Sequence, residues 1–270
     1  MAHNFDYNGM QIAYAVMGEG PSLIILHGWG TNSGVMAYMG RKLSSRHTCY
    51  ILDLPGFGMS DEPAEAWSVS DYADMIEAFI KELNLGPADI LGHSFGGRII
   101  LKLAPRDKDQ ELLNKVIITG GAGMKPKRSL KFYVRKYTAM LLKMPAMLLP
   151  GRLRERFLAS LRNTKLWQKL GSSEYAQLQG VMRETFVKTV TEYLEPELPD
   201  IPHQVLLIWG DRDEATPLYQ GRRMEQGLRN ANLAVLKGGG HYAFLDKPAK
   251  FNIIAEDFLS DKEQVTGNEA

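Results

Sequence analysis

The sequence predicts an α/β fold, a mostly parallel, doubly wound sheet interrupted by one helical insertion. Three observations predict it. Short runs rich in Ile, Val and Leu recur along the chain, each closed by glycine, aspartate or serine. Segments of helical period separate those runs. One stretch, from about residue 125 to about residue 199, carries helical pattern with no strand in it.

In chain order, Phe5-Asp6-Tyr7 and the segment from Met10 to Tyr14 flank Asn8-Gly9, a dipeptide that favours the type I′ turn of a tight hairpin. Apolar runs follow at 22–26, 48–52, 90–91, 115–119, 204–209 and 233–236. Their shortness and branched side chains suit strands buried on both faces. Residues 71–83 place Tyr72, Met75, Ile76, Phe79, Ile80 and Leu83 on one helical face. Residues 96–103, 218–228 and 248–259 also read as helices, the last opening on a proline suited to a first helical position. Strand–helix alternation implies a parallel sheet with right-handed crossovers.

The insertion divides the chain into a core of residues 1–124 and 200–270 and a helical lid of residues 125–199, with breaks at Pro145, Pro150-Gly151 and Gly171-Ser172-Ser173. The lid is expected over the C-terminal edge of the sheet, where open α/β sheets bind ligands. Residues 264–270 read as a frayed tail.

Composition narrows the partners. The chain has 270 residues, 44% hydrophobic and 23% charged, enough for one α/β domain with an insertion. Its 32 basic and 31 acidic residues leave a net charge of +1, with no basic excess of the kind that nucleic-acid binding requires. The single cysteine, Cys49, cannot form an internal disulfide, and it reads as a small buried side chain in a reduced, cytoplasmic setting. The first 18 residues lack a basic segment followed by an apolar core, and no apolar run approaches the ~20 residues that span a bilayer.

The chemistry centres on Gly92-His93-Ser94-Phe95-Gly96, a G-x-S-x-G run between a strand and a helix. A serine on so sharp a turn needs small neighbours, and it sits at a helix N-terminus whose N–H groups can stabilise an oxyanion. A serine hydroxyl also needs a base. His241 follows Gly238-Gly239-Gly240 directly after the last strand. The residue orienting that histidine should lie after the penultimate strand, where Asp213 is preferred over Asp211 and Glu214. Asp213 leaves two residues for the chain to turn over the sheet edge. The order Ser, Asp, His separates this arrangement from those of chymotrypsin and subtilisin. Backbone N–H groups of Trp29, in Leu26-His27-Gly28-Trp29-Gly30, and of Phe95 are the expected oxyanion donors. Trp29 is also a candidate wall of the acyl pocket. His27 reads as a loop brace and a lesser candidate for the pocket. Residues 53–60 read as a glycine-punctuated scaffold loop. No phosphate loop and no H-e-x-x-H spacing occurs, so neither a cofactor nor a metal is expected.

Together these motifs resemble the α/β-hydrolase fold superfamily. The residues carrying the resemblance are His27-Gly28-Trp29-Gly30, Asp53-x-Pro55-Gly56-x-Gly58-x-Ser60, Gly92-His93-Ser94-x-Gly96-Gly97, Gly210-x-x-Asp213-x-x-x-Pro217 and Gly240-His241. Within it the chain is most similar to small lidded carboxylesterases of the pimeloyl-acyl-carrier-protein methyl ester esterase type. The resemblance implies a serine hydrolase acting on a small-molecule carboxylic ester. Ser94 stands where haloalkane dehalogenases and epoxide hydrolases carry aspartate. Tyr242 stands where C–C hydrolases often carry tryptophan. Arg98 reads first as a helix residue pairing with a nearby carboxylate, and it also resembles an arginine that binds acidic substrate in a menaquinone-pathway lyase. C–C hydrolysis or lyase chemistry with the same triad is the alternative reading. Arg98 and Tyr242 are therefore further candidates for the pocket. In the lid, basic residues such as Lys125, Lys127, Arg128, Lys131, Arg152, Arg154 and Arg156 read as a solvated helix face or an attractor of acidic substrate. Met140, Leu141, Leu142, Met144, Met147, Leu148 and Leu149 are expected to pack on the pocket mouth.

Overall fold

Two-residue alternation decides the architecture. In β3 (Ser22–Leu26), Ile24 and Leu26 enter one apolar core while Leu23 and Ile25 enter another. In β7 (Gln204–Gly210), Val205, Leu207 and Trp209 face the first core, and Leu206 and Ile208 the second. Strands apolar on both faces must be covered on both. The computed structural model describes residues 2–127, 130–147, 149–162, 164 and 178–260.

With β1 (Ala2–Tyr7), β2 (Met10–Met17), β4 (Thr48–Leu52), β5 (Ala88–His93), β6 (Leu113–Thr119) and β8 (Ala231–Leu236), these strands form one sheet ordered β1-β2-β4-β3-β5-β6-β7-β8. β1 pairs antiparallel with β2, and β2 with β4; every other pairing is parallel. The hairpin turns on Asn8 (φ 54°) and Gly9 (φ 83°), the two positive φ values that a type I′ turn requires.

Helix α1 (Ser33–Leu43) covers the second core through Met36, Met39 and Leu43. Sequence pattern alone did not predict it, although Asn32 supplies its N-cap by accepting from Gly34 N. Helices α2 (Val69–Glu82) and α3 (Phe95–Leu103) cover the first core with Tyr72, Ile76, Phe79, Ile99 and Ile100. A reciprocal Ser68–Asp71 capping box starts α2.

Between β6 and β7 the described residues form α4 (Leu130–Met147), α5 (Gly151–Arg162), α6 (Gly180–Thr191) and a 3₁₀ turn over Glu195–Asp200. α4 continues through Pro145, where a break was expected. The proline removes one N–H donor less than a turn from the helix end, too late to stop it. The expected break at Pro150-Gly151 falls between α4 and α5. Gly171-Ser172-Ser173 and the tail from 264 lie outside the described residues. α7 (Leu218–Gly227), α8 (Ala243–Asp246) and α9 (Pro248–Leu259) are the remaining helices among the described residues. Pro248 takes the first position of α9, as predicted.

Candidate active site

Parallel strands bring the loops after β3, β5, β7 and β8 to one sheet edge, and these loops carry Trp29, Ser94, Asp213 and His241. Ser94 lies between β5 and α3 with φ 50° and ψ −103°, a conformation that costs a non-glycine residue about 1–3 kcal/mol. Its surroundings hold it there. Ser94 N–H donates to the Thr119 carbonyl at 3.0 Å, and its carbonyl accepts from Arg98 N at 3.2 Å and Ala122 N at 3.0 Å. The flanking glycines are required by space. A Cβ on Gly92 would lie 2.5 Å from the Gly96 carbonyl carbon, and one on Gly96 would lie 2.6 Å from the Leu26 oxygen.

Gly96 N–H donates to the His27 carbonyl at 3.0 Å and pins the start of α3 to the loop after β3. The N–H groups of Trp29 and Phe95 donate to no partner among the described residues. Free donors beside Ser94 are what an oxyanion site requires. The Trp29 ring makes edge contacts with Phe57 at 4.9 Å, Phe95 at 5.1 Å and Phe186 of α6 at 5.1 Å. Phe186 was invisible to sequence reasoning, since a phenylalanine in an amphipathic helix carries no positional signal.

His241 Nδ1 lies 2.9 Å from Asp213 Oδ2, so the structure brings Asp213, rather than its two neighbours, against the histidine. Asp211 instead accepts from Gly238 N at 2.6 Å, a turn contact, and Glu214 is exposed. Asp213 Oδ1 accepts from Ala215 N at 2.9 Å and Thr216 N at 2.8 Å. Burial pushes the Asp213 carboxyl up, but hydrogen bonds from His241 and Thr216 outweigh it and hold the group below its ordinary value. The Thr216 hydroxyl lies 2.9 Å from both Asp213 Oδ2 and the Gly120 carbonyl. Sequence reasoning assigned Thr216 no role, although it directly follows Ala215, whose N–H closes the Asx turn of Asp213.

An α/β-hydrolase fold model matches residues 21–248. The chain belongs to the α/β-hydrolase fold family. This hydrolase is 27% identical over 257 residues to the pimeloyl-[acyl-carrier protein] methyl ester esterase of Nitrosospira multiformis, covering 87% of this chain and 93% of the relative. It is 26% identical over 257 residues to the 2-hydroxymuconate semialdehyde hydrolase of Pseudomonas sp. strain CF600, covering 91% and 89%. The solved structure of a bromoperoxidase from Bacillus anthracis superimposes with a TM-score of 0.73 at 18% identity, covering 97% of this chain and 100% of that one, a likeness of fold.

Three candidate pocket residues of the hydrolase are placed differently from expectation or more sharply. His27 is fully buried, with Nε2 accepting from Leu54 N at 2.9 Å and Nδ1 donating to the Gly28 carbonyl at 2.8 Å. Both ring nitrogens are committed to backbone, so it braces the loop and is corrected as a pocket residue. Burial pushes its pKa down to about 4. Arg98 is also corrected. The Nη1 of its buried guanidinium donates to the Thr189 and Glu192 carbonyls at the end of α6, a structural anchor rather than the expected pocket contact. Tyr242 stays beside the site, 5.5 Å from the His241 ring and 4.9 Å from that of His93.

Asp53 serves as scaffold, accepting from Ser33 N at 2.6 Å and Met59 N at 2.9 Å. Cys49 is buried with its thiol pushed up to about 12 by desolvation, which suits a packing role. In the insertion, α6 is fixed to the core. Thr185 and Thr189 are buried, and Trp67 N donates to Thr185 Oγ1 at 3.0 Å. Of the residues expected at the pocket mouth, Met140, Leu141 and Met144 of α4 point outward, each more than half exposed, whereas Leu142 and Leu149 are half-buried and Leu148 lies outside the described residues. Arg128 lies outside the described residues. Among the described residues no group of three His, Cys, Asp or Glu is placed to hold a metal ion, and no helix is long and apolar enough to cross a membrane.

Proposed function

We propose that this hydrolase cleaves small to medium carboxylic esters through an acyl-enzyme, with Ser94 as nucleophile, His241 as base and Asp213 orienting it. The observation that carries the reading is Ser94 on its strained turn at the sheet edge that also holds the 2.9 Å His241–Asp213 pair. Asp213 fixes the Nδ1–H tautomer, which leaves Nε2 as the basic nitrogen. As Ser94 Oγ attacks the ester carbonyl carbon, His241 Nε2 takes the hydroxyl proton. The carbonyl oxygen gathers negative charge facing the Trp29 and Phe95 N–H groups, each contributing about 3–4 kcal/mol to the transition state. Collapse expels the alcohol, which receives the proton from His241. Water then attacks the acyl group with His241 again as base and releases the acid. The lid is proposed to comprise residues 125–199, with α6 as its fixed part.

Ser94→Ala should abolish turnover of a p-nitrophenyl ester and labelling by a fluorophosphonate. Retained turnover in that variant overturns the reading. Similarity to the 2-hydroxymuconate semialdehyde hydrolase favours C–C hydrolysis as the second reading, tested by assaying vinylogous diketones beside simple esters. The lyase reading is less favoured, because Nη1 of the arginine that suggested it donates to carbonyls of α6.

A further inference from the structure

The outward face of α4 is apolar where a surface helix is ordinarily polar. Val134, Tyr137, Leu141 and Met144 recur at helical spacing on one stripe, with Met140 beside it, and their exposures run from 52% to 62%. Ala146 is buried, and Leu142 half-buried, on the side away from the stripe, and the half-buried Thr138 flanks it. Scattered apolar side chains on a surface are normal, but a contiguous stripe of them marks an interaction site.

Charge gives the partner its character. Residues 130–162 contain eight Lys or Arg and a single acid, Glu155, in a chain whose net charge is +1. On α5, Arg152, Arg154 and Arg156 are exposed, as is Leu153 between them. An exposed helix face bearing Met, Leu, Tyr and Val, set in a strongly basic segment, fits an interface that is apolar inside and negative outside. A lipid bilayer with anionic headgroups has both properties, and such headgroups attract neighbouring Lys and Arg.

We propose that α4 and the first turns of α5 dock this hydrolase on anionic lipid bilayers. The α4 stripe lies at the boundary of headgroups and acyl chains, and Arg152 and Arg156, one turn apart on α5, pair with headgroup phosphates. Because no helix among the described residues can span a bilayer, this docking is peripheral. The proposal stands on the surface of α4 and α5 and does not depend on the ester reading.

The test is flotation of the full chain with vesicles of phosphatidylcholine containing phosphatidylglycerol, and with vesicles of phosphatidylcholine alone. The chain is expected to float with the anionic vesicles and to detach at high salt. The double variant Leu141→Glu, Met144→Glu should weaken partition about tenfold or more. The triple variant Arg152→Glu, Arg154→Glu, Arg156→Glu should lose the preference for anionic vesicles. Circular dichroism melts verify that both variants fold, and Leu141→Ser repeats the test with a smaller change. Ser94→Ala should bind as the unchanged chain does, which separates docking from catalysis. Absence of flotation with anionic vesicles overturns the proposal, as does flotation unaltered in both charge variants. A dimer that the Leu141→Glu, Met144→Glu variant dissolves, with no vesicle binding, assigns the stripe to a second copy and overturns it too.

Discussion

The ring of His93 lies 4.7 Å from that of His241, centroid to centroid and tilted by 52°. Two imidazoles this close can coexist beside a working base only if one stays neutral. Burial pushes His93 down to about 3, and its Nδ1 lies 3.1 Å from the Thr119 carbonyl. His27 is pushed down to about 4, and His203 is lowered as well, burial being the leading cause in each. The folded chain thus refuses protons that these histidines accept once unfolded, below pH ~6.5. Their contribution to stability is therefore complete above that pH and is lost as pH falls toward the folded values. His93 and His27 should each cost about 1.4 kcal/mol per pH unit in that window. Urea midpoints measured from about pH 7 down to about pH 5 should fall steeply; a flat series contradicts the assignment.

Asp213 and its two acidic neighbours separate cleanly by mutation. Asp213→Asn should lower kcat by about a thousand- to ten-thousandfold, because an amide can hold the wrong tautomer of His241. Asp211→Asn should leave kcat nearly unchanged and reduce stability modestly, since it serves Gly238 N. Thr216→Val, which removes the hydroxyl beside Asp213, should cost roughly tenfold in kcat/KM. Steady-state kinetics on one chromogenic ester ranks all three.

Arg98 anchors α6 rather than reading substrate. Arg98→Met should lower stability by about 1.5–3 kcal/mol, since buried carbonyls lose a charged donor. It should leave the ratio of kcat/KM for carboxylated and neutral esters the same. A selective loss on the carboxylated ester, with the melt unaltered, returns Arg98 to the pocket.

The backbone of Ser94 stores strain that only a side chain feels. Ser94→Gly should be more stable than Ser94→Ala by about 1 kcal/mol, both being inactive, because glycine accepts φ near 50° freely. Calorimetry on the pair reads this directly. Equal melting temperatures contradict a strained turn.

Much of this hydrolase was legible from residue order. The eight strands, the hairpin turn at Asn8-Gly9 and the start of α9 at Pro248 follow from local period and turn chemistry. Ser94 stood out because Gly92 and Gly96 have no room for a Cβ. Helix α1 escaped because Gly34 and Gly40 weaken its helical signal, and its Asn32 cap is a weaker signal than a full capping box.

The sequence by itself determined the sheet, the serine turn and the histidine loop, since these depend on neighbours within a few residues. Tertiary structure alone decided which of three acids meets His241, that His27 and Arg98 are committed to backbone carbonyls and amides, and that the Met140–Met144 face looks outward. Each of those outcomes is a contact between segments far apart in the chain, or the lack of one. Side-chain chemistry states what a group can do, and only its surroundings state what is left for it to do.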